Sequence, residues 1–212
     1  MIIAVDGPVA AGKGTLARRL AAALDYGYLD TGSIYRAVAA RILAGGGDPE
    51  DHDLAAQTAE NLQPGDLERD DLRREAVGQA ASKVAANQAV REALLAFQRR
   101  FAVQPPGGKT GAVLDGRDIG TVVCPDAHVK LFLTASMEAR ARRRHKELLE
   151  RGEESIYARV LQDLRERDAR DSGRETAPLK AAEDALRLDT SEMDADQVFA
   201  AAIAEITKRQ RP

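Results

Sequence analysis

The sequence predicts an α/β protein built on a doubly wound parallel sheet of about five strands. Short, continuous apolar runs such as residues 2–5 are typical of strands buried on both faces. These runs alternate with helix-like segments along most of the chain, which favours a parallel sheet with right-handed crossovers. The 212 residues, 44% of them hydrophobic, suffice for one core domain that carries inserted lobes.

The first apolar run leads into a glycine-rich segment, GPVAAGKGT, at residues 7–15. It fits the pattern G-x-x-x-x-G-K of a P-loop, in which backbone N–H groups surround a triphosphate and the lysine reaches its β- and γ-phosphates. The following helix directs its positive end at the same anion. The residues predicted to bind ATP are Gly7, Pro8, Val9, Ala10, Ala11, Gly12, Lys13, Gly14 and Thr15.

The loop departs from the strict P-loop pattern in the position of its hydroxyl. Gly14 follows Lys13, and the hydroxyl comes one residue later, at Thr15. Because the hydroxyl directly after the lysine normally ligates Mg²⁺, we expect the ion to arrive with ATP, coordinated largely by nucleotide and water. We predict no protein metal site, and no Cys/His spacing suggests zinc.

The next elements follow in short order. Leucines four residues apart predict a helix from the loop to about Asp25, and a brief strand follows at 26–30. The segment DTGSIYRAVAARILAGGG then predicts a capped helix, with Thr31 or Ser33 as its N-cap and a glycine stop at 45–47.

The middle of the chain, residues 48–103, is alanine-rich and charged and shows no strand pattern. It predicts a helical excursion from the core with a break near residues 63–65. The turn-rich segment QPPGGKTG at 104–111 returns the chain to the sheet.

The last part of the chain supplies three more strands and three helices. AVLDGRDIG predicts a strand that ends in a turn, and HVKLFLTA a strand that enters a charged helix at about 136–151. A second charged helix is predicted at about 154–170. After an irregular segment, ALRLDTS predicts the last strand, and Val198, Ile203 and Ile206 mark a C-terminal helix.

Composition argues against several classes of partner. The net charge is −3, aromatic residues make up 4%, and there is no Trp, so we expect neither nucleic-acid nor membrane binding. The sequence begins without a signal-type segment, from which we expect a cytoplasmic protein. Cys124 lies among apolar neighbours and is interpreted as a small buried hydrophobe, and the three histidines are assigned to structure or solvent.

Charged clusters follow two of the predicted strands. LDTGSIYR contains Arg36, which could bind a phosphate through two parallel hydrogen bonds, and DGRDIG brings Asp115, Arg117 and Asp118 around a turn. Each segment alone is explained equally well without a ligand. The first could be an N-cap with a solvated arginine, and the second a turn with a local ion pair. With the P-loop, however, three such segments stand at strand ends, where parallel sheets bind ligands.

These segments together resemble the bacterial cytidylate kinases, in a short form, over nearly the whole chain. The matching stretches, in order, are GPVAAGKGT, LDTGSIYR, ASKVAA with VREAL, LDGRDIGTVV, KLFLTAS and RDARDSGRETAPL. The resemblance implies a P-loop NTPase fold and transfer of the γ-phosphoryl of ATP to CMP, and to dCMP. It implies one kinase domain with its core at 1–47, 104–140 and 175–212, a nucleoside-monophosphate lobe at 48–103 and an arginine-rich lid at 141–174.

The resemblance also assigns roles to individual residues. Asp118 would face the N4 amino group of cytosine and Arg91 its N3 and O2, each pair discriminating by ~1–3 kcal/mol. The implied catalytic residues are Lys13, Arg117, Asp118 and Arg167. The implied CMP-binding residues are Asp30, Thr31, Arg36, Ser82, Arg91, Arg117, Asp118, Asp171 and Arg174.

Three alternatives stay open at this stage. A kinase of the same class could use UMP or AMP, and the proposed base contacts Ser82, Arg91 and Asp118 are what argue against it. A P-loop regulator or GTPase switch would need an N-K-x-D segment, which the sequence lacks. A nucleic-acid-stimulated ATPase fits poorly with the acidic charge. We expect a monomer, since a kinase that closes a lid needs free lobes.

Overall fold

A computed structural model describes residues 1–210, with side chains described as far as residue 208. In this part of the chain the sheet has five strands, in the order β2-β3-β1-β4-β5. They are β1 (Ile2–Asp6), β2 (Gly27–Asp30), β3 (Ala112–Gly116), β4 (Val129–Thr134) and β5 (Leu186–Asp189). β1 pairs in parallel with β3 and with β4, and β4 pairs in parallel with β5, which confirms the predicted α/β class.

The helices follow the predicted order along the chain. They are α1 (Lys13–Leu24), α2 (Thr31–Ala44), α3 (His52–Glu60), α4 (Glu75–Val84), α5 (Gln88–Val103), α6 (Met137–Glu150), α7 (Tyr157–Ser172) and α8 (Ala195–Gln210). A short 3₁₀ turn at Pro64–Glu68 lies at the break predicted near residues 63–65, and a second one follows at Asp70–Arg73.

The strand order determines where a ligand site can form. β2 and β3 lie on one side of β1 in the sheet, and β4 and β5 lie on the other side. The direction in which the chain adds strands therefore reverses beside β1. The loops that leave the carboxyl ends of β1 and β3 therefore emerge next to each other, at the topological switch point where such sheets bind ligands. These loops are the P-loop and the DGRDIG segment.

One face of the sheet packs against α1 and α8. The core there contains Ile3 and Val5 of β1, which are fully buried and alternate with Ala4 and Asp6 on the opposite face. The core cluster is completed by Ala11, Leu16, Ala17, Leu20, Ala21, Val113, Val129, Leu131, Leu133, Val198, Ala202 and Ile206. This packing fixes the strand end from which the P-loop leaves.

The contacts divide the chain into two units. One comprises Met1–Leu29 together with the chain from Ala102 onward, and the other is Asp30–Phe101. The second unit is helical, with α2 packed against α3 and α4. Whereas the sequence places the start of the helical lobe at residue 48, this division includes α2 in the same unit, and the functional roles of the predicted lobes stay predictions.

The N-cap of α2 is Asp30, so the prediction of Thr31 or Ser33 is wrong. The Asp30 carboxylate accepts a hydrogen bond from the Ser33 backbone N–H at 3.2 Å. Asp30 is also the last residue of β2, and its extended backbone lets the strand run directly into the helix.

Candidate functional site

The P-loop connects β1 to α1 through a tight approach to β4. Gly7 has φ +144°, and a Cβ at this position would lie 2.1 Å from the backbone oxygen of Leu133. This glycine is therefore required by packing against the neighbouring strand. Gly12, at φ +93°, is the N-cap of α1 and offers no side-chain cap, as expected where an anion faces a helix N-terminus.

Lys13, the predicted catalytic lysine, lies buried across this loop. Its Nζ donates to the backbone oxygen of Pro8 at 2.8 Å. Burial, followed by the positive charges of Arg117 and Arg167, lowers its pKa to about 7, against the opposing effect of Asp115 and Asp6. The lysine thus stands among other cations in a site that favours a bound anion.

The loop after β3 is held by a residue that the sequence analysis missed. Ile119–Val123 form a single π-helical turn directly after Asp118. The buried Asp6 carboxylate accepts hydrogen bonds from the backbone N–H groups of Ile119 and Gly120, both at 2.8 Å. The available signal was a carboxylate at the end of an otherwise apolar buried strand.

The ionisation of Asp6 reflects opposing effects. Burial raises its pKa to about 7, the two N–H donors of the π turn and Lys13 lower it, and the Asp118 carboxylate raises it. The hydrogen bonds thus favour the ionised form that the buried surroundings disfavour.

Asp115, at the end of β3, lies against the first turn of α1. Its carboxylate accepts a hydrogen bond from the Tyr28 hydroxyl at 3.0 Å. A Cβ at Gly14 would lie 3.2 Å from Asp115 Oδ2 and 3.4 Å from a nitrogen of Arg18. This crowding is one physical reason for glycine where the strict P-loop pattern has serine or threonine.

A buried ion cluster joins the DGRDIG loop to the end of α7. The Asp171 carboxylate accepts from Arg117 Nε at 2.9 Å through one oxygen and from Arg174 through the other. Burial acts to raise the pKa of Asp171, but Arg117, Arg174 and Arg167 outweigh it and hold the pKa below its usual value. The predicted residues Lys13, Arg117, Arg167, Asp171 and Arg174 thus belong to one electrostatic neighbourhood.

Two arginines of α6 support the P-loop, one by a direct hydrogen bond to its backbone and the other through a bridging threonine. Arg140 is 4% exposed, pairs with Asp168 of α7 and donates to the backbone oxygen of Val9 at 3.3 Å. Arg143 donates to Thr190 Oγ1 at 3.0 Å, and that hydroxyl donates to the backbone oxygen of Ala11, also at 3.0 Å. These two arginines support the shape of the loop rather than offering charge to solvent.

Comparison with known proteins decides the family. A family model described as cytidylate kinase matches residues 3–208. The chain belongs to the cytidylate kinase family. The cytidylate kinase of Paramagnetospirillum magneticum is 63% identical to it over 209 residues, which cover 99% of each chain. That of Rhodospirillum rubrum is 56% identical over 203 residues, covering 96% of this chain and 95% of the relative.

One solved structure is similar to this chain in its overall fold. An uncharacterized protein from Eubacterium ventriosum aligns with a TM-score of 0.54 at 13% sequence identity, covering 98% of each chain. At this identity the likeness concerns the fold alone.

The remaining predicted acceptor residues lie in the helical unit. Ser82 on α4 and Arg91 on α5 are 2% and 8% exposed, Thr31 is buried, and Arg36 is half-buried. The Arg91 guanidinium lies 5.6 Å from the centre of the Tyr35 ring and donates to the backbone oxygen of Ala85 at 3.3 Å. Their roles as contacts for cytosine and phosphate, carried over from the cytidylate kinase family, stay predictions.

Residues that were assigned to structure behave accordingly. Cys124 is buried, as predicted. His128 Nδ1 accepts from the Ile2 backbone N–H at 3.1 Å, and His145 shares a hydrogen bond with Ser155 at 2.8 Å.

Within residues 1–210 no group of three or more His, Cys, Asp or Glu side chains is arranged to hold a metal ion. No helix in this described part is long and apolar enough to cross a membrane.

The raised pKa of Asp6 predicts a pH-dependent contribution to stability. Because the native pKa of about 7 exceeds the unfolded value of 3.8, the contribution is complete below pH 3.8 and is lost as the pH rises through 7. We expect the free energy of unfolding of wild type, relative to Asp6→Asn, to fall between pH 4 and 7, by at most about 1.4 kcal/mol per pH unit. Urea unfolding of both proteins at pH 4, 5.5, 7 and 8 measures this difference; a difference independent of pH would contradict the assignment.

Proposed function

We propose that this chain transfers the γ-phosphoryl group of ATP to CMP, giving ADP and CDP, and that dCMP is a second acceptor. The observation that carries phosphoryl transfer is the convergence of Lys13, Arg117 and Arg167 beside a P-loop that begins a helix. The choice of CMP is supported by relatives named cytidylate kinase that are 53–63% identical to this chain.

The proposed chemistry depends on positioning and on neutralising charge. In the transfer, an oxygen of the CMP phosphate forms a bond to the γ-phosphorus of ATP while the bond to the β–γ bridging oxygen breaks. Lys13 would contact the β- and γ-phosphates, and Arg117 and Arg167 would stabilise the charge on the transferring group. The buried Asp171 would keep Arg117 in place for that contact.

Mg²⁺ is proposed to come with ATP, where it neutralises charge on the β- and γ-phosphates. Asp115 fits such an ion, because its carboxylate lies against the first turn of α1, near the position that the hydroxyl of a strict P-loop would occupy. It would hold the ion through bound water, in keeping with the expectation that nucleotide and water supply most of the ligands.

Base selection is proposed to rest on Asp118. Cytosine carries an amino donor at N4, whereas uracil carries a carbonyl oxygen at that position. A buried carboxylate accepts from the amino group and repels the carbonyl, so one residue both attracts CMP and rejects UMP. Asp118 is 5% exposed and stands immediately before the π turn. We further propose that the enzyme acts as a monomer in the cytoplasm.

The acceptor preference provides the direct test. With CMP, dCMP, UMP and AMP as acceptors, we expect ADP production to be fast with CMP and dCMP and much slower with UMP and AMP. In Asp118→Ala, the ratio of kcat/KM for CMP to kcat/KM for UMP should fall roughly 5- to 150-fold. This fall corresponds to a loss of about 1–3 kcal/mol of discrimination.

The control for this test is Asp126→Asn, which removes a negative charge from an exposed position in the nearby loop. It should leave the ratio unchanged. If all four monophosphates are poor acceptors while ATP alone is hydrolysed, the cytidylate assignment fails and a P-loop switch or ATPase becomes the better interpretation.

A further inference from the structure

The two loops of the candidate site are joined by a single buried side chain. Asp6 ends β1 and stands directly before Gly7, the first residue of the P-loop. Its carboxylate oxygens bind the N–H groups of Ile119 and Gly120, which lie 113 and 114 residues further along the chain. The strand that leads into the P-loop therefore also holds the start of the π turn after Asp118.

The π turn needs such a partner. The first N–H groups of any helical turn have no carbonyl partner within that turn. Later in the turn, the backbone oxygen of Asp118 accepts from the N–H groups of Val122 at 2.9 Å and Val123 at 3.2 Å. At its start, Ile119 and Gly120 are buried, and the Asp6 carboxylate takes the place of a cap. The path of the chain from the end of β3 through Asp118 is thus set by a contact with the neighbouring strand β1.

We propose that Asp6 is a positioning residue for the acceptor: by holding Ile119 and Gly120 it orients Asp118 and Arg117 toward CMP. The inference rests on the proposed function, since it concerns how the acceptor is recognised and selected. It goes beyond that function because it assigns acceptor selectivity to a residue outside the proposed substrate contacts. Its effect should appear in the KM for CMP and in the choice between CMP and UMP.

A competing role is electrostatic. Asp6 is also one of the negative charges around Lys13, so it could serve mainly to support the charge of that lysine beside ATP. In that case loss of the carboxylate would change the affinity for ATP and leave the recognition of CMP intact. The two roles therefore predict changes in the binding of different substrates.

Two variants separate the roles. Asp6→Asn removes the charge and replaces one acceptor oxygen with an N–H₂ group, which cannot accept from the π turn. Gly120→Ala keeps the charge but places a Cβ 3.1 Å from Lys130 Cδ and 3.4 Å from Asp6 Oδ2, so Lys130, Asp6 or the turn has to give way by a few tenths of an ångström. Asp126→Asn, exposed and outside the contact, is the control for loss of one charge.

We expect both Asp6→Asn and Gly120→Ala to raise the KM for CMP roughly 10- to 100-fold, as misplacement of a substrate contact does. Both should also lower the preference for CMP over UMP. The Kd for ATP, measured by calorimetry without acceptor, should stay within about twofold of wild type. Asp126→Asn should match wild type in all three measurements.

Other results would overturn the inference. If Asp6→Asn weakens ATP binding and leaves the KM and selectivity for CMP unchanged, the carboxylate acts through Lys13. If Asp6→Asn fails to fold by thermal melting, Gly120→Ala decides alone, and a wild-type KM for CMP in that variant refutes the positioning role. Failure of the proposed function looks different, because wild type itself would then not phosphorylate CMP; the same variants are then compared on the acceptor that wild type uses, where an unchanged KM again refutes the role.

Discussion

Replacement of Lys13 by Met is expected to lower kcat for phosphoryl transfer by roughly 10²–10³-fold, the effect of removing one preorganised charge-stabilising group. Lys13 is held in the loop by its hydrogen bond to the Pro8 backbone oxygen and is surrounded by Arg117 and Arg167. Methionine fills similar space without the charge, so the loop should keep its shape. The loss should fall mainly on kcat, because the lysine is proposed to act on charge that develops during transfer.

The lowered pKa of Lys13 provides a second measurement on the same variant. When no nucleotide is bound, the pKa of Lys13 is lowered to about 7 by burial and by the charges of Arg117 and Arg167. The lysine is therefore largely neutral at pH 8. Bound triphosphate favours the charged form, and ATP binding at pH 8 should therefore take up protons. Calorimetry in two buffers of different ionisation enthalpy should show this uptake in wild type and much less of it in Lys13→Met.

Lys208→Met is the matched control, because this lysine is 75% exposed on α8. It should keep wild-type kcat and proton uptake. Equal kcat in Lys13→Met and wild type would remove Lys13 from the catalytic residues and with it the proposed use of the P-loop.

Features that depend on local sequence could be predicted well. The P-loop, the five strands and the glycine stop of α2 are each encoded within a few consecutive residues, by apolar runs and by the glycines that end them. The parallel pairing of the strands also agrees with the prediction, since alternating strands and helices restrict the topology. Even the assignment of Cys124 to the interior followed from its apolar neighbours.

Features that depend on distant pairs could not be predicted. Asp6 and Gly120, or Arg140 and Val9, are more than a hundred residues apart, and neither member of each pair carries a local sign of its partner. The packing of Gly7 could not be predicted for the same reason, since the Leu133 backbone that it approaches lies on another strand. The resemblance to cytidylate kinases supplied the list of site residues, but the residues that support them had to come from the structure.

Asp171 is expected to be the most costly of the site residues to replace in terms of stability. Its carboxylate is 2% exposed and binds Arg117 and Arg174, whose side chains are 18% and 5% exposed. Asp171→Asn would remove the negative charge that these two largely buried guanidinium groups share. Breaking such a buried pair costs about 3–5 kcal/mol, and we expect a loss of this size in urea unfolding at pH 7.

The control for Asp171→Asn is Glu166→Gln, which removes a negative charge from an exposed position on the same helix. It should change the free energy of unfolding by less than about 0.5 kcal/mol. Inorganic sulfate should stabilise Asp171→Asn more than wild type, since an anion can replace the missing charge between the two arginines. Equal stabilisation of both proteins would mean that the arginines do not depend on the charge of Asp171.

The pH dependence of the Asp171 contribution separates charge from packing. The arginines hold the pKa of Asp171 below its usual value, so its stabilising contribution is complete above the unfolded value of 3.8 and is lost as the pH falls through the native pKa. The difference between wild type and Asp171→Asn should therefore be largest at neutral pH and shrink in acid below 3.8. This is opposite in sign to Asp6, whose contribution is lost as the pH rises. A difference that stayed constant from pH 7 down to pH 2.5 would show that Asp171 stabilises the site by packing, and that the arginines do not depend on its charge.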